Sequence, residues 1–411
     1  MEDRDETYDP FEALDRAAGA GAVRDPYPTF ATLRGECPVH HGRLSAAFGL
    51  PEAFEAVIVP TDRHFVAMSH EAAVQVLRDG ETFSSRGYAG SIGLVLGHSI
   101  LEMDDPEHAR YRELIQQAFT LQAMERWEAS LVRPIVHGLV DRFVNRGRAD
   151  LVRELTFPFP IHVIAGMLGL PEADLPRFHR WAVELINIAG DIQRGLAASQ
   201  TLRDYFAGVL AARRRDPQED MISVLAHAEL DGQRLTDEEI FAFLRLLLPA
   251  GAETTYRSSS NLFCGLLTHP DQLEAVRADR SLVRRAIDEG LRWEPPLTGI
   301  ARIATRDVEV AGVEIPKGAV VSVCLGAANH DPARYPAPET FDIRREQRPH
   351  LAFAYGPHTC VGMHLARMET RVVLEAVLDR LPNLRLDPEA PDVHITGLSF
   401  RAPRRLPVLF G

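Results

Sequence analysis

A single cysteine, Cys360, lies in a loop of glycine, proline and polar residues just before a segment with strong helical patterning, 361–380. Gly356 and Gly362 are expected to allow backbone conformations and close approaches that a side chain would block, and Pro357 stiffens the turn between them. The N–H groups at the start of the following helix should point back at the sulfur, where the helix dipole favours negative charge. We therefore expect a stabilised thiolate at Cys360 that can bind iron, with space for a flat ligand against the loop.

Cys360 could also be an inert core residue or a zinc ligand. Most single cysteines are inert residues of the core, and a zinc site would need further ligands that no C-x-x-C or nearby Cys/His pair supplies. The spacing F-x-x-G-x-H-x-C-x-G argues against an inert core cysteine, because it resembles the haem-binding loop of the cytochromes P-450, the haem-thiolate monooxygenases. Ala354 departs from that loop, since a second glycine is common at its position. The matching residues are Phe353, Gly356, His358, Cys360 and Gly362.

Length and composition favour one large domain. The chain has 411 residues, of which 45% are hydrophobic, and no Gly/Ser-rich spacer, low-complexity tract or repeat divides it. We expect an irregular leader over residues 1–25 and a single domain over 26–411. The cysteines are far apart without a disulfide framework, which suits a reducing cytoplasm.

Charge and hydropathy exclude some partners. The amino terminus is acidic and polar, and no run reaches the ~18 apolar residues of a spanning helix, so we expect a cytoplasmic protein without a membrane partner. The net charge of −13 argues against a nucleic-acid partner, because phosphates would be repelled.

The chain reads as mainly helical with small β-rich runs. Helices are predicted at 27–36 and 70–79, and a succession of amphipathic helices follows over 121–215, broken among other places at Gly190-Asp191. The β-rich runs at 54–59 and 64–68 predict a hairpin, and further strands are predicted at 301–305, 308–310 and 320–323.

The longest helix is predicted at 237–268. A capping box, Thr236 with Glu239, precedes it, and its length would be ~50 Å. Pro249 and Gly251 are poor helix residues, so the helix should kink or open there. An acid followed by a hydroxyl at such an opening, Glu253-Thr254, would give a proton route beside a pocket. This stretch is similar to the dioxygen groove of the cytochromes P-450, A-G-x-E/D-T, here with Ala250 and Gly251 as its first two residues.

Two further motifs are weak alone and gain meaning from the resemblance. Asp105 should cap a helix on which His108 and Arg112 share a face; such a pair is most often a solvated surface, but in the family D-P-x-x-H-x-x-x-R holds a haem propionate. Arg302 fits the family's second propionate ligand, and His358 of the cysteine loop joins this set. The pair Glu289 and Arg292 fits the family's E-x-x-R, which is structural and ties its helix to the segment before the cysteine loop.

The resemblance covers residues from about 25 to the end and implies a mainly α, single-domain cytochrome P-450 fold with small β-sheets, of the soluble bacterial type, with a long central helix and a cysteine haem-binding loop. It implies haem b with Cys360 as iron ligand, Glu253 and Thr254 as catalytic proton carriers, and insertion of one oxygen atom of dioxygen into a hydrophobic small molecule. The electrons would come from ferredoxin and ferredoxin reductase. A peroxide-driven haem-thiolate enzyme and a non-catalytic haem sensor are the alternatives.

Two surfaces follow from position in the resemblance. An apolar pocket is predicted from the glycine-rich loop after residue 84, the long helix, the segment around 297 and the carboxyl end, although the loop could equally be packed surface. Its predicted lining is Tyr88, Ile92, Leu94, Val95, Leu96, Leu246, Leu247, Ala250, Leu297, Thr298 and Phe400. A docking face for the electron donor is predicted from arginines around the cysteine side of the haem, which could otherwise be ordinary solvated residues. They are Arg110, Arg344, Arg345, Arg348, Arg367 and Arg371.

Overall fold

Helices make up most of the chain. The computed structural model describes residues 8–50, 62–390 and 392–411. Short 3-10 helices cover Ser45–Phe48, Arg86–Gly90, Val144–Arg146, Glu172–Asp174, Arg280–Leu282 and Gly356–His358, and π-helical turns cover Glu128–Val132 and Val152–Thr156. The α-helices of the described residues are α1 (Pro10–Ala17), α2 (Tyr27–Glu36), α3 (His70–Arg78), α4 (Gly93–Leu96), α5 (Glu107–Gln116), α6 (Leu121–Trp127), α7 (Arg133–Asp141), α8 (Pro158–Met167), α9 (Leu175–Ile186), α10 (Ile188–Arg215), α11 (Met221–His227), α12 (Asp237–Thr268), α13 (Pro270–Ala278), α14 (Val283–Trp293), α15 (Leu325–Asn329) and α16 (Met363–Arg380).

The strands form small sheets. The strands are β1 (Val39–His41), β2 (His64–Ala67), β3 (Phe83–Ser84), β4 (Arg148–Asp150), β5 (Glu229–Leu230), β6 (Gln233–Arg234), β7 (Gly299–Ala304), β8 (Val308–Val310), β9 (Val313–Ile315), β10 (Val320–Cys324), β11 (Arg385–Leu386), β12 (Ile395–Thr396), β13 (Ala402–Pro403) and β14 (Pro407–Leu409). The largest sheet in the described residues has the order β1-β2-β10-β7-β3, in which only β2 and β10 run parallel. A three-stranded sheet β11-β14-β4 and the pairs β12-β13, β5-β6 and β8-β9 complete the set.

The mainly α fold with small sheets is confirmed, and the elements pack as one domain. The helix predicted at 27–36 is confirmed as α2, and the strand predicted at 308–310 as β8. Of the predicted hairpin, 64–68 corresponds to β2, which pairs with β1 and β10, while 54–59 lies outside the described residues. The break predicted at Gly190-Asp191 is confirmed, because Asp191 leaves the helical region with φ −160° and ψ 91°.

The leader predicted to be irregular contains α1, which corrects that prediction. Asp9 caps the helix by accepting the N–H groups of Phe11 and Glu12 through Oδ1, and Pro10 takes the first helical position, where its missing N–H costs nothing. Leu14 is buried, and α1 packs against α9 and α10. The domain boundary at residue 26 stays a prediction.

The central element is α12. Its predicted capping box is confirmed: the Thr236 hydroxyl accepts the N–H of Glu239, whose carboxylate accepts the N–H of Thr236. The helix packs against α8, α9, α10, α14 and α16, so most of its circumference is buried. None of the helices in the described ranges combines the length and apolar character of a membrane-spanning segment.

Candidate active site

The loop around Cys360 is held by its own backbone. The N–H of Cys360 donates to the carbonyl of Phe353 over 2.9 Å, and the N–H of Ala354 donates to that of Leu351 over 2.8 Å. Ala354 has φ +58°, in the left-handed region that glycine adopts more readily. The family's preference for glycine at this position therefore has a conformational basis in this chain.

Gly356 is required by the fold, but Gly362 is not. Gly356 has φ +73°, and a Cβ on it would lie 2.3 Å from the carbonyl oxygen of Leu77, at the end of α3. Gly362 has φ −86°, and its Cβ would be in ordinary contact with Cys360 Sγ at 3.9 Å. Within the described residues the expected close approach is found at Gly356, while a close approach of a flat ligand to Gly362 stays a prediction.

The expected thiolate stabilisation at Cys360 is present but outweighed. Although the side chain is exposed, the protein packed around the sulfur limits hydration of a thiolate and raises its pKa. The N–H of Gly362 and the guanidinium groups of Arg112 and Arg367 act in the opposite direction and lower the pKa. The net pKa of the thiol is above its ordinary value, so the helix that follows does not by itself ionise the sulfur.

Two histidines and two arginines lie together beside the loop: His108, His358, Arg112 and Arg302. The rings of His108 and His358 lie 4.0 Å apart between centroids, and Ser85 Oγ is 3.1 Å from Nε2 of His358. Burial lowers the pKa of His358 to about 2, assisted by Arg302, His108 and Arg112. Burial also lowers the pKa of His108, whose Nε2 is enclosed without a partner in the described part of the chain.

The two arginines of this cluster form no ion pair among the described residues, although the charge of Asp104 acts on Arg302 and raises its pKa against the effect of burial. Arg302 is 5% exposed and donates through Nη1 to the carbonyl of Ala301 over 2.8 Å, and burial lowers its pKa. Burial also lowers the pKa of half-buried Arg112, which the Cys360 sulfur opposes. Since a buried cation without a counter-ion is costly, the cluster fits a ligand with carboxylates.

Asp105 does not cap α5 as predicted: the helix begins at Glu107, and Asp105 Oδ1 lies 3.2 Å from Nδ1 of His108.

One face of α12 is not covered by protein. Leu246 and Thr254 are half-buried and Ala250 is exposed, and their spacing of four residues forms a stripe along the helix. The Thr254 hydroxyl donates to the carbonyl of Ala250 over 2.7 Å. The helix is continuous with Pro249 inside it, so the predicted opening is not a break in α12.

Gly251 lies off that stripe. A Cβ there would be 2.7 Å from Cδ1 of Ile164, so the glycine allows α8 to approach α12 closely. Gly251 therefore has a packing role, and its predicted contact with the cofactor stays a prediction, as does that of Ala250 on the uncovered face.

Glu253 points into a buried cluster on another side of α12. Its side chain is 2% exposed, and Oε2 accepts from Nη2 of Arg257 over 3.3 Å. Burial raises the pKa of Glu253 to about 7 against the opposing effect of Arg257, and Asp15 raises it further. An acid that titrates near neutrality can both accept and release a proton at physiological pH.

The predicted pocket residues separate by exposure. Val95 and Leu96 have 0% exposure and belong to the main core, so their assignment to the lining is corrected. Leu247 is also buried, and the buried hydroxyl of Thr298 donates to the carbonyls of Leu398 and Ser399, so neither offers a free group. Tyr88 is buried against β7, where its hydroxyl accepts the N–H of Ala301 over 2.9 Å.

The remaining pocket candidates keep accessible surface. Leu297 and Phe400 pair across an isolated β-bridge and are half-buried, as is Ile92. Leu94 is 56% exposed. Together with Leu246 and Ala250 these are the candidates from the predicted set that can meet a ligand, and their role stays a prediction.

Glu289 and Arg292 form a buried link. Arg292 binds the Glu289 carboxylate with two hydrogen bonds of 2.8 Å, and its Nη1 donates to the carbonyls of Asn329 and Pro338. Asn329 in turn accepts the N–H of Leu351 over 2.7 Å, just before the cysteine loop. The pair thus connects α14 to the segment that leads into Cys360, and it is buried rather than exposed.

Most of the arginines of the predicted docking face are engaged internally. Arg345 has a side chain 9% exposed and holds Glu289 and the carbonyls of Ala337 and Thr340, which corrects its assignment to a free surface. The others, except Arg344, pair with carboxylates: Arg110 with Glu239, Arg348 with Glu346, Arg367 with Asp288, and Arg371 with Glu128 and Glu375.

Sequence reasoning missed two residues of this region. Arg257 lies four positions after Glu253 on α12, and that spacing was a readable signal of an ion pair. Ser85 beside His358 carried no such signal, because it comes from a separate loop.

Known proteins are similar to this chain in sequence and in fold. The chain matches the family described as "Cytochrome P450" over residues 183–396. It is 38% identical over 380 residues to the cytochrome P450 monooxygenase PikC of Streptomyces venezuelae, covering 90% of this chain and 87% of that protein. It is 36% identical over 326 residues to a steroid C26-monooxygenase of Mycobacterium tuberculosis (strain CDC 1551), covering 78% and 87%.

A solved structure agrees over nearly the whole length. CYP109E1 from Bacillus megaterium in complex with testosterone superposes with a TM-score of 0.82 at 29% identity, covering 94% of this chain and 99% of that one. The chain therefore belongs to the cytochrome P450 family and is a P450 monooxygenase that uses haem b. The unpaired Arg112 and Arg302, the enclosed Nε2 of His108 and the exposed Cys360 thiol fit that cofactor's carboxylates and iron.

Proposed function

We propose that this monooxygenase hydroxylates a large hydrophobic molecule of steroid size, with electrons from a ferredoxin and its reductase. The observation that carries the proposal is the uncovered stripe of α12, Leu246, Ala250 and Thr254, which is apolar except at its hydroxyl end. Such a surface favours ligands that bury apolar area and present a C–H bond near Thr254.

The chain's own residues divide the work of holding the cofactor. Cys360 binds the iron as thiolate; a metal-bound thiol loses its proton to the metal's charge, which overcomes the raised pKa of the free group. His108, Arg112, Arg302 and His358 hold the two propionates, because they are buried or half-buried groups that can donate hydrogen bonds. Among the described residues only His108 of this set has a carboxylate within 3.2 Å, that of Asp105. Bound haem supplies dioxygen activation with two electrons and insertion of one oxygen atom into the substrate.

Two residues of α12 supply the protons. Glu253, with its pKa near 7, takes up protons from solvent, and the Thr254 hydroxyl holds a proton on the uncovered face while it donates to the carbonyl of Ala250. Substrate binding does not need either group, since the apolar stripe provides the contact area. The two residues therefore govern how electrons are used rather than which ligand binds.

The substrate class rests on relatives as well as on the stripe. One relative is named for steroid C26 oxidation, and a similar structure was solved with testosterone. Leu246, Ala250, Leu297 and Phe400 keep accessible surface and are apolar, so a rigid hydrocarbon skeleton would lose little entropy on binding them.

The electron donor is proposed to dock over the cysteine loop, with a contact set revised from the six arginines. Tyr355 is 40% exposed in that loop, and a Cβ on the neighbouring Gly356 would be 3.0 Å from the Cα of Arg78, whose side chain is exposed. An exposed aromatic next to a cation that forms no ion pair among the described residues suits a weak complex with a small acidic iron–sulfur protein.

The test is a titration of the ferric holoenzyme with testosterone, hexadecanoic acid and a small multiply charged acid, followed through the Soret band. Testosterone should shift the band at the lowest concentration and, with ferredoxin and reductase present, should be hydroxylated with consumption of dioxygen. Leu246→Gln should weaken testosterone binding about tenfold, since it places an amide on the apolar stripe. Leu121→Gln is the matched control, because Leu121 is 76% exposed on α6. Tightest binding of the small charged acid would contradict the substrate class.

A further inference from the structure

Two carboxylates from different helices share one buried guanidinium. Nη2 of Arg257 lies 2.9 Å from Oδ1 of Asp15 on α1 and 3.3 Å from Oε2 of Glu253 on α12. The side chains of Arg257 and Glu253 are 3% and 2% exposed, whereas that of Asp15 is 23% exposed. The shorter bond goes to Asp15, so Glu253 holds the weaker share of the cation.

The rest of the Glu253 carboxylate is left unpaired in the described part of the chain. Its Oε1 is enclosed without a hydrogen-bond partner, and Nε2 of His179 lies 4.0 Å from it. Burial lowers the pKa of His179 to about 4, so the ring is neutral at physiological pH and gives Glu253 no counter-charge. An ionised Glu253 would therefore be under-stabilised, and Oε1 is free to carry the proton of the neutral acid.

A cleft connects this carboxylate to solvent. It has a volume of about 600 Å³ and lies between α1 and the carboxyl-terminal segment, with Glu253, Tyr256 and Arg257 among its lining residues. On the α1 side it is lined by Asp15, which is half-buried, and by Glu12, which is exposed. Solvent in the cleft can thus approach Glu253 without crossing the uncovered face of α12.

We propose that Asp15 is a positioning residue for proton supply: by holding Arg257, it keeps Glu253 from closing a full ion pair and so keeps that carboxylate able to take a proton from the cleft. The proposal rests on the proposed role of Glu253 in proton supply. In the step itself, a hydronium ion from the cleft gives its proton to the Glu253 carboxylate, leaving water and a carboxylic acid. Glu253 returns to carboxylate when it gives the proton to a water molecule on the Thr254 side, and no electrons move.

The charged and titratable groups around Glu253 agree with this balance. Arg257 lowers the pKa of Glu253 and Asp15 raises it, in addition to the larger effect of burial. Burial raises the pKa of Tyr256 well above its ordinary value, so that phenol stays neutral. The other groups that face the cluster or line the cleft are His179 on α9, Asp9 and Glu12 from the amino-terminal segment, Arg153 before α8, and Arg404 and Arg405 at the carboxyl end.

The experiment uses the substrate-bound holoenzyme and its Asp15→Asn variant, which keeps the size of the side chain and removes its charge. The carboxylic acid C=O infrared band of Glu253, identified by its loss in Glu253→Gln, is titrated with pH. In Asp15→Asn, Arg257 is free to pair with Glu253, so the midpoint should fall by about one pH unit. The fraction of electrons lost to hydrogen peroxide at pH 7 should rise about threefold or more, while the substrate dissociation constant stays within twofold.

Glu12→Gln is the matched control, because Glu12 is on the same helix and lines the same cleft but does not contact Arg257. It should leave the band and the peroxide yield unchanged; an equal shift in Glu12→Gln would overturn the specific role of the Asp15 contact. An unchanged titration and peroxide yield in Asp15→Asn, with a raised yield in Glu253→Gln, would overturn the proposal alone. An unchanged peroxide yield in Glu253→Gln would instead overturn the proton role of Glu253 on which it rests.

Discussion

Gly356→Ala should be the most damaging small substitution in the cysteine loop. The residue has φ +73°, and an added Cβ would lie 2.3 Å from the carbonyl oxygen of Leu77 and 3.0 Å from the Cα of Arg78. Both neighbours are backbone atoms of α3, so neither can rotate away as the end of a flexible side chain could. The loop or the helix must move.

The size of the effect follows from two independent costs. A left-handed conformation costs an alanine about 1–2 kcal/mol. Relieving a contact that is too short by displacing packed backbone adds roughly 1–3 kcal/mol. The sum is about 2–5 kcal/mol, which at about 2 °C per kcal/mol for a chain of this size lowers the melting temperature by roughly 4–10 °C.

The assay is thermal unfolding of the holoprotein followed by far-UV circular dichroism at one scan rate, with two comparison variants from the same loop. Gly362→Ala should melt within about 1 °C of the parent, because φ is −86° and the new Cβ is in ordinary contact at 3.9 Å. Ala354→Gly should raise the melting temperature by about 2 °C, since it removes a left-handed alanine with φ +58° at a gain of about 1 kcal/mol. If Gly356→Ala and Gly362→Ala melted at the same temperature, the contact between the loop and α3 would be refuted.

Four further predictions concern the site. Cys360→Ser should abolish the red-shifted Soret band of the reduced carbon monoxide complex, and an unchanged band in a haem-loaded variant would disprove thiolate ligation. Arg112→Ala should lose haem to apomyoglobin about tenfold faster, because it removes a buried charge-assisted hydrogen bond of about 1.5–3 kcal/mol; equal extraction rates would remove Arg112 from the propionate set. Thr254→Ala should keep its substrate affinity within about twofold and release severalfold more peroxide, and full coupling would exclude the hydroxyl from proton supply. Arg78→Glu should slow reduction by ferredoxin severalfold at low salt, and the difference should fade above about 0.1 M salt; an unchanged rate would move the docking face elsewhere. Arg345→Glu should instead lower the stability by about 3–5 kcal/mol, because it places a second carboxylate beside Glu289.

The sequence was most informative where local chemistry decides the structure. The capping box at Thr236 and Glu239, the helix of Tyr27–Glu36 and the break at Asp191 depend on residues within a few positions of one another. The helix α1 was missed although Asp9 and Pro10 form a standard helix start, because the acidic composition around them outweighed the capping signal.

The site was predictable as a set of positions but not as a set of contacts. The motif around Cys360 located the loop, yet it did not reveal that only Gly356 is held by a close approach, because the other side of that contact is Leu77 of α3. Likewise the stripe Leu246, Ala250 and Thr254 follows from helical spacing, but whether protein covers it depends on where α8 and α9 pack. Contacts between segments far apart in the chain leave no mark in either segment alone.

The predicted docking face loses Arg345 for a chemical reason that applies across this chain. Of its 45 cationic lysine and arginine residues, Lys317 is the only lysine. The guanidinium offers five donors in a planar fork and suits internal hydrogen bonding to backbone carbonyls, which a solvated ammonium on a flexible stem does less well. Arg285 donates to the carbonyls of Ile343, Arg344 and Arg345, which follow one another in a loop. Arg277 of α13 donates to those of Leu378 and Leu381 at the end of α16, so both arginines join separate segments of the chain. In a chain whose cations are nearly all arginines, a cluster of cations along the sequence therefore indicates structural donors as readily as a docking surface, and the distinction requires the exposure of each guanidinium.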